Sequence, residues 1–166
     1  MNESTFQSFY DSTKHALWRY IASLTKDDAL ADDMFQETYI KFLQTDVEFV
    51  TDEQKKSYLY RIATNSVRDE WRKMKHRQRW SDSDAEPSLD TTRSMDLRHD
   101  MHEAMNQLPP QQRSLLWLAY AEQFEHREIA EILKLREKSV KVLLFRAKRK
   151  LAFIFKRMGM TSEATL

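Results

Sequence analysis

The sequence contains no cysteine, one glycine and three prolines among its 166 residues. Without cysteine the chain can form neither a disulfide scaffold nor a thiolate metal site. The scarcity of glycine and proline leaves almost no material for hairpin turns, and the abundant Ala, Leu, Glu, Lys, Gln, Arg and Met favour helices. The sequence therefore predicts an all-α protein, folded as one domain or two small ones.

Long apolar runs are missing as well. No stretch approaches the roughly 18 apolar residues of a membrane-spanning helix, and the N-terminus lacks the apolar region of a signal peptide. We therefore expect a cytoplasmic protein without membrane insertion. The five histidines lack the helical i, i+4 spacing of metal ligands. His99 and His102 are three apart beside Asp100 and Glu103, which fits either a weak metal site or, more often, a surface cluster. No nucleophile–base pair or glycine-rich phosphate loop is present. We expect no enzyme activity, no metal and no cofactor.

The net charge is only +1, but its distribution is uneven. Residues 27–48 carry seven acids against the single Lys41, whereas residues 134–157 carry ten Lys or Arg against the single Glu137. This asymmetry predicts a basic partner for the first segment and an anionic partner for the second.

Residues 58–79 form the most informative stretch. Steps of three and four place six side chains on one stripe of a helix, namely Arg61, Asn65, Arg68, Arg72, Lys75 and Arg79. Tyr58, Tyr60 and Trp71 flank this stripe. Basic side chains beside aromatic ones suit a nucleic-acid strand with bases to stack. Taken alone, the pattern also fits a solvated face over a buried one.

Residues 27–44 predict another helix, with Asp27 as its N-cap. Its apolar positions predict a buried side made of Leu30, Met34, Ile40 and Phe35. The remaining polar residues, Asp33, Gln36, Glu37 and Lys41, share a different side. That side is either a solvated face or a docking surface for a basic or mixed-charge helix.

Residues 125–133 and 137–157 predict a helix-turn-helix motif. The small Ala130 permits close approach of the second helix, whose inward line is Val140, Leu144, Ala147 and Leu151. The opposite line exposes Lys138, Val142, Phe145 and Arg149, flanked by Lys141 and Arg146. Such a face suits base readout with cations for phosphate. An ordinary αα-hairpin with a basic exposed face is the alternative.

Residues 81–95 break the helical pattern. They are rich in Ser, Thr and Asp and contain Pro87, which predicts a flexible acidic linker. The linker separates a domain of residues 1–80 from a domain of residues 96–157, and a tail of residues 158–166 follows. An acidic strand of this kind would thread a basic channel or shield the basic helices in the absence of DNA.

Three stretches together resemble one family. ADDMFQETYIKFL resembles the core-binding segment of bacterial sigma factors, and YLYRIATNSVRDEWRK resembles the next part of the same domain. The stretch from Leu108 to Leu151 is similar to the sigma domain that reads the upstream promoter element. The order of these stretches, with little else in the chain, is the layout of the extracytoplasmic-function (ECF) group of the sigma-70 family.

The resemblance implies a subunit that binds core RNA polymerase and directs promoter recognition, promoter melting and transcription initiation. The implied core-polymerase-binding residues are Asp33, Gln36, Glu37, Tyr39 and Lys41. The residues implied for the melted −10 element are Tyr58, Arg61, Asn65, Arg68, Asp69, Trp71, Arg72 and Lys75. Those implied for the −35 duplex are Lys138, Ser139, Lys141, Val142, Phe145, Arg146 and Arg149.

The partners implied are the β′ clamp helices and the β flap of core polymerase, promoter DNA and an anti-sigma factor. The alternative function is a stand-alone helix-turn-helix regulator that binds duplex DNA without polymerase.

The sequence departs from the family around the helix-turn-helix. Gln123 and Glu125 replace a frequent Gly-x-Ser, and Lys134 replaces a turn glycine, where a left-handed backbone costs roughly 1 kcal/mol over glycine. Val142 and Leu143 stand where polar residues are common, so promoter specificity does not carry over. The exposed Val142 and Phe145 could contact thymine methyl groups or receive a helix of an inhibitory partner.

Overall fold

The computed structural model describes residues 1–78 and 97–159 of the chain. Within these ranges the ordered secondary structure is helical and no strand occurs, which confirms the all-α prediction. The predicted linker of residues 81–95 and most of the predicted tail lie outside the described residues. The helices are α1 Glu3–Thr25, α2 Asp28–Leu43, α3 Asp52–Gln78, α4 Leu97–Asn106, α5 Pro110–Leu116 with a π-helical continuation Trp117–Ala121, α6 His126–Leu133 and α7 Glu137–Arg157.

The first half of the chain is a three-helix bundle in which α1, α2 and α3 all pack on one another. Its core buries Leu17, Ile21, Leu59 and other apolar side chains completely. The loop between α2 and α3 is fixed to this core by Phe49, whose ring lies 5.8 Å from that of Phe42 and 5.2 Å from that of Tyr58, centroid to centroid. The loop therefore holds the start of α3 in place.

Side-chain caps explain where the first two helices begin. The Asn2 side chain accepts a hydrogen bond of 2.8 Å from the Thr5 amide. The Asp27 carboxylate accepts one of 3.1 Å from the Leu30 amide, as the sequence predicts for an N-cap. Lys26, between the two helices, takes a left-handed backbone with φ of 53°. That residue reverses the chain so that α2 folds back against α1.

The second half packs α4, α5 and α6 around α7. The sequence predicts one helix over residues 111–122, and this prediction is wrong in its geometry, because α5 ends at Leu116 and a π-helical turn follows. The wider turn is closed by a hydrogen bond of 3.1 Å from the Glu122 amide to the Trp117 carbonyl. Gln123 then reverses the chain with φ of 56°, which brings Phe124 into the core.

The predicted helix-turn-helix is formed by α6 and α7. Lys134 adopts the left-handed conformation, with φ of 55° and ψ of 48°, and the Leu135 amide donates a hydrogen bond of 2.9 Å to the Ala130 carbonyl. At the start of α6, Glu128 accepts a hydrogen bond of 2.8 Å from the Glu125 amide. That half of a capping box compensates in part for the missing serine cap.

Lys134→Gly is expected to raise the free energy of unfolding by about 0.5–1 kcal/mol, because glycine reaches positive φ without a Cβ penalty. Lys150→Gly, in the middle of α7, provides the control. It is expected to lower the same quantity by about 1 kcal/mol, since glycine weakens a helix interior. Urea denaturation followed by circular dichroism measures both values. Effects of the same sign in the two variants would contradict the strain at Lys134.

Candidate functional site

The acidic face of α2 is open to solvent. Asp33 and Gln36 are exposed and Glu37 is half-buried. Glu37 forms an ion pair with Lys41 one turn later, and the Lys41 ammonium also donates to the Ser66 hydroxyl at 3.0 Å. Lys41 therefore ties the acidic face to α3, while three polar side chains remain available to a partner.

Two residues of α2 lie on the opposite side from the one predicted. Tyr39, predicted to contact polymerase, is buried, and its hydroxyl is 2.7 Å from that of Thr13. Ile40, predicted to be buried, is 55% exposed. With Leu43, which is 56% exposed, Ile40 continues the face of Asp33. The face is thus acidic at one end and apolar at the other.

The predicted −10 residues of α3 differ in their environment. Arg61, Arg72 and Lys75 are exposed, Asn65 and Trp71 are half-buried, and Tyr58 packs on Phe42 and Phe49. Asp69 and Arg72 form an exposed ion pair at 2.9 Å. Arg68 is half-buried and donates a hydrogen bond of 3.0 Å to the Leu133 carbonyl at the end of α6.

These residues do not share one open groove. Arg68, Trp71, Arg72 and Lys75 line a cleft of about 600 Å³ that α5 closes on its far side. Tyr58 and Arg61 line a second cleft of about 290 Å³, whose far side belongs to α6. The structure therefore brings six of the eight predicted −10 residues together as two groups, each facing the second half of the chain, whereas Asn65 and Asp69 line neither cleft.

Asn65 has an unsatisfied acceptor. Its side-chain oxygen is buried, and no described residue donates a hydrogen bond to it. A buried acceptor without a donor is costly unless a ligand supplies one. Among the described residues, the buried Asn65 oxygen therefore carries a desolvation cost that no hydrogen bond offsets.

The exposed face of α7 carries the predicted −35 residues. Val142 and Phe145 are 50% and 60% exposed, and the Arg149 guanidinium lies 5.8 Å from the centre of the Phe145 ring. Lys138, Lys141 and Arg146 are also exposed, whereas Ser139 is half-buried near the start of the helix. The seven predicted residues all lie between Lys138 and Arg149 on α7.

Sequence reasoning missed that the same stripe continues. Phe153 is 58% exposed, and the Arg157 guanidinium lies 5.8 Å from its ring centre. The repeat of an aromatic residue followed four positions later by arginine was the available signal. The two Phe–Arg pairs give α7 a basic and aromatic surface over nearly its whole length.

Two buried polar groups lie where the halves of the chain meet. The Tyr20 hydroxyl is 2.8 Å from that of Thr64, and burial raises the pKa of Tyr20 to about 12. The Tyr60 hydroxyl is buried near Glu122, and burial followed by that acid raises the pKa of Tyr60 far above its ordinary value. Both tyrosines therefore stay protonated at neutral pH.

Other kinds of site can be assessed only within residues 1–78 and 97–159. No helix there is long and apolar enough to cross a bilayer. The same residues contain no cluster of three or more His, Asp or Glu side chains that could hold a metal ion.

Comparison with known proteins gives the same two-part arrangement. Residues 9–77 match the family description of sigma-70 region 2, and residues 98–151 match that of sigma-70 region 4. The chain is 27% identical to the ECF RNA polymerase sigma factor SigM of Bacillus subtilis, covering 96% of this chain and 99% of SigM. It is 29% identical to the ECF RNA polymerase sigma factor SigL of Mycobacterium tuberculosis, covering 93% and 91%.

Solved structures agree on the fold. The sigma factor RpoE in complex with the anti-sigma factor NepR from Bartonella quintana is similar with a TM-score of 0.76 at 25% identity, covering 92% of this chain and 97% of RpoE. CnrH in complex with the cytosolic domain of CnrY gives 0.69 at 21% identity, which shows a shared fold alone.

The chain belongs to the ECF group of the sigma-70 family. Its function is therefore to work with RNA polymerase in promoter recognition, as the sequence predicts, and a stand-alone regulator is not favoured.

Proposed function

We propose that the two halves divide this function between them. Residues 1–80 bind core polymerase and the melted −10 element, and residues 96–157 read the −35 element as duplex. The observation that carries the proposal is the pair of contrasting exposed surfaces, acidic and apolar on α2 and basic and aromatic on α7. The α2 surface lies on the first half of the chain and the α7 surface on the second half. This arrangement lets one half contact a protein while the other contacts DNA.

The α2 face suits a helix of core polymerase that is basic and partly apolar, such as a β′ clamp helix. Asp33, Gln36 and Glu37 supply the polar part of the contact. Ile40 and Leu43 supply exposed apolar area, whose burial provides most of the affinity in a protein interface. Tyr39 contributes indirectly, because the hydrogen bond between its hydroxyl and that of Thr13 fixes α2 to α1.

Glu37→Lys and Ile40→Asp are each expected to weaken binding to core polymerase by at least about 30-fold, the usual loss at an interface hot spot. The first places a like charge against a basic partner, and the second removes the exposed apolar anchor. Titration of labelled protein with core enzyme, followed by fluorescence anisotropy, measures both. Glu103→Lys on α4 is the charge-matched control, for which affinity should not change.

A gel shift with promoter fragments tests the division of function itself. We expect specific complexes only when core polymerase is added, and we expect Glu37→Lys to remove them. Specific duplex binding by the free chain, unchanged in Glu37→Lys, would instead support a stand-alone regulator.

The α7 face suits a DNA major groove. Lys141, Arg146 and Arg149 are placed to reach phosphates or guanine edges, while Val142 and Phe145 offer apolar contacts to thymine methyl groups. The Arg149 guanidinium lies 5.8 Å from the centre of the Phe145 ring, so the two side chains are neighbours on this face. Ser139, near the start of the helix, is placed for a phosphate contact. The β flap of core polymerase would hold this half against the upstream DNA.

We also propose that an anti-sigma factor binds this chain. The similar structure of RpoE was solved in complex with the anti-sigma factor NepR, and the exposed Val142 and Phe145 offer an apolar surface to such a partner. Because its partner polymerase lies in the bacterial cytoplasm, we place the protein there. We assign it no catalytic activity of its own, since sigma factors are non-catalytic.

A further inference from the structure

A cleft of about 600 Å³ lies between α3 and the start of α5, and we call it the α3–α5 cleft. Its volume falls within the roughly 300–1,000 Å³ of sites that hold small ligands. Of the described residues that line it, Arg68, Arg72 and Lys75 are cationic and none is acidic. A cleft lined by charge of one sign concentrates ligands of the opposite sign, so this cleft favours an anion.

The three cations lie on one face of α3. Steps of four and three residues place them there, over a length of about 10 Å along the helix axis. Arg68 is held in position by its hydrogen bond of 3.0 Å to the Leu133 carbonyl. Arg72 forms an exposed ion pair with Asp69, which lies outside the cleft and which a phosphate can replace at little cost. Arginine binds phosphate through paired hydrogen bonds, and a row of this length favours a ligand with at least two phosphates.

The remaining lining offers surface for a flat ring. The half-buried Trp71 and the exposed Met74 line the cleft on the α3 side, with the buried Leu24 of α1. An aromatic side chain stacks on any nucleobase, because every base has a π-face. Gln111 lines the cleft from α5 and is exposed, and its amide offers both a donor and an acceptor to a base edge. Because α5 closes the far side, the cleft accommodates a short ligand rather than a continuous strand.

We propose that the α3–α5 cleft binds a nucleoside diphosphate, with its phosphates on Arg68, Arg72 and Lys75 and its base between Trp71 and Gln111. A nucleoside diphosphate carries two phosphates and one base, which matches one row of cations beside one aromatic ring. The charge and the shape of the cleft define the site, independently of the proposed role of α3 in −10 binding. The first turn of α5 thereby gains a function, because it forms one wall of the site.

Isothermal titration calorimetry of the full chain with ADP at physiological salt tests the site. We expect one ADP per chain. We expect adenosine and inorganic pyrophosphate each to bind at least about tenfold more weakly, because each lacks one of the two groups that the cleft contacts. Trp71→Leu is expected to weaken ADP binding about tenfold and to leave pyrophosphate binding unchanged, since leucine removes the stacking face but no cation.

Two charge variants locate the ligand, one on each wall of the cleft. Lys75→Gln removes a cation from α3 and Gln111→Glu places an acid on α5, so each is expected to weaken ADP binding about fivefold. Lys73→Gln and Gln107→Glu are the charge-matched controls, because both residues are exposed and lie outside the cleft. The ADP affinity of both controls should equal that of the parent. Thermal unfolding establishes that every variant is folded.

Occupancy of the cleft has a consequence for single-stranded DNA. Arg68, Trp71, Arg72 and Lys75 belong both to the cleft and to the residues predicted for the −10 strand. A labelled oligothymidine strand is therefore expected to bind about tenfold more weakly when ADP is present at about ten times its dissociation constant. If ADP binds as expected and the strand affinity does not change, the strand assignment of α3 is wrong while the nucleotide site stands.

Three results would overturn the nucleotide site. Pyrophosphate binding as tight as that of ADP would show a site for anions that does not contact a base. Unchanged ADP affinity in Gln111→Glu would place the ligand on the exposed face of α3, away from α5. Absence of ADP binding at millimolar concentration would show that the cations of the cleft do not hold a nucleotide.

Discussion

Replacing Arg113 with methionine is expected to lower the free energy of unfolding by about 3 kcal/mol, because three backbone carbonyls lose a charged donor. The Arg113 side chain donates to the Met105 carbonyl at 3.0 Å, to that of Leu108 at 2.8 Å and to that of Ser23 at 2.6 Å. Methionine fills much of the same volume and donates no hydrogen bond. Burial lowers the pKa of Arg113, and the relief of that desolvation limits the loss.

Urea denaturation of the full chain measures the effect. Arg113→Lys is expected to fall between the parent and Arg113→Met, since one ammonium cannot reproduce the planar fork that serves three carbonyls. Arg146→Met, on the exposed face of α7, is the matched control and should leave stability within about 0.5 kcal/mol. Equal stabilities of Arg113→Met and the control would show that the three hydrogen bonds contribute nothing net.

Features dictated by local chemistry were predictable from the sequence. Asp27 caps α2 as its side chain requires, and Lys134 takes the left-handed conformation that the turn imposes. The stripes of α3 and α7 follow from helical periodicity alone. Each of these features depends on residues within one or two turns of each other, so the sequence contains the whole cause.

Tyr39 is buried and Ile40 is exposed, the reverse of the prediction. These two residues show where helical periodicity does not decide which side chain faces inward. Both positions are apolar enough to be buried, and they are adjacent, so composition does not decide which one faces inward. The aromatic cluster decides it, because Tyr10 and Phe35 pack their rings against Tyr39 at 4.9 and 5.1 Å between centroids, and Phe6 lies nearby. Had Asp33 and Gln36 been used to fix the outward direction, Ile40 would have fallen on the exposed face.

The contacts between the two halves of the chain could not be predicted for a different reason. Arg68 binds a carbonyl 65 positions away, and every residue has a carbonyl, so no residue type marks the acceptor. Arg113 lies in the stretch that resembles the family, yet its role as a donor to both halves depends on backbone carbonyls, which no residue type marks. Contacts of this kind become visible only when the helices are placed in space.

Replacing Arg61 and Asn65 together with alanine is expected to reduce formation of the open promoter complex by at least about 30-fold, because two base or backbone contacts of roughly 1–3 kcal/mol each together contribute at least about 2 kcal/mol. Asn65 is half-buried on the same stripe of α3 as Arg61, and its side-chain amide offers both a donor and an acceptor to the edge of an extruded base. Arg61 is exposed and lies four residues before Asn65. This spacing places both side chains on one face of the helix, along which we propose that the strand runs.

The measurement is permanganate reactivity of thymines in a promoter selected with the unaltered holoenzyme from genomic fragments. We expect the variant to bind core polymerase normally, because α2 is unchanged, and to form a duplex complex through α7 that does not melt. Lys73→Ala removes a cation from another face of the same helix and should leave melting nearly unchanged. Intact melting in the Arg61→Ala/Asn65→Ala variant would mean that strand capture lies elsewhere, and loss of core binding would place these residues in the polymerase interface instead.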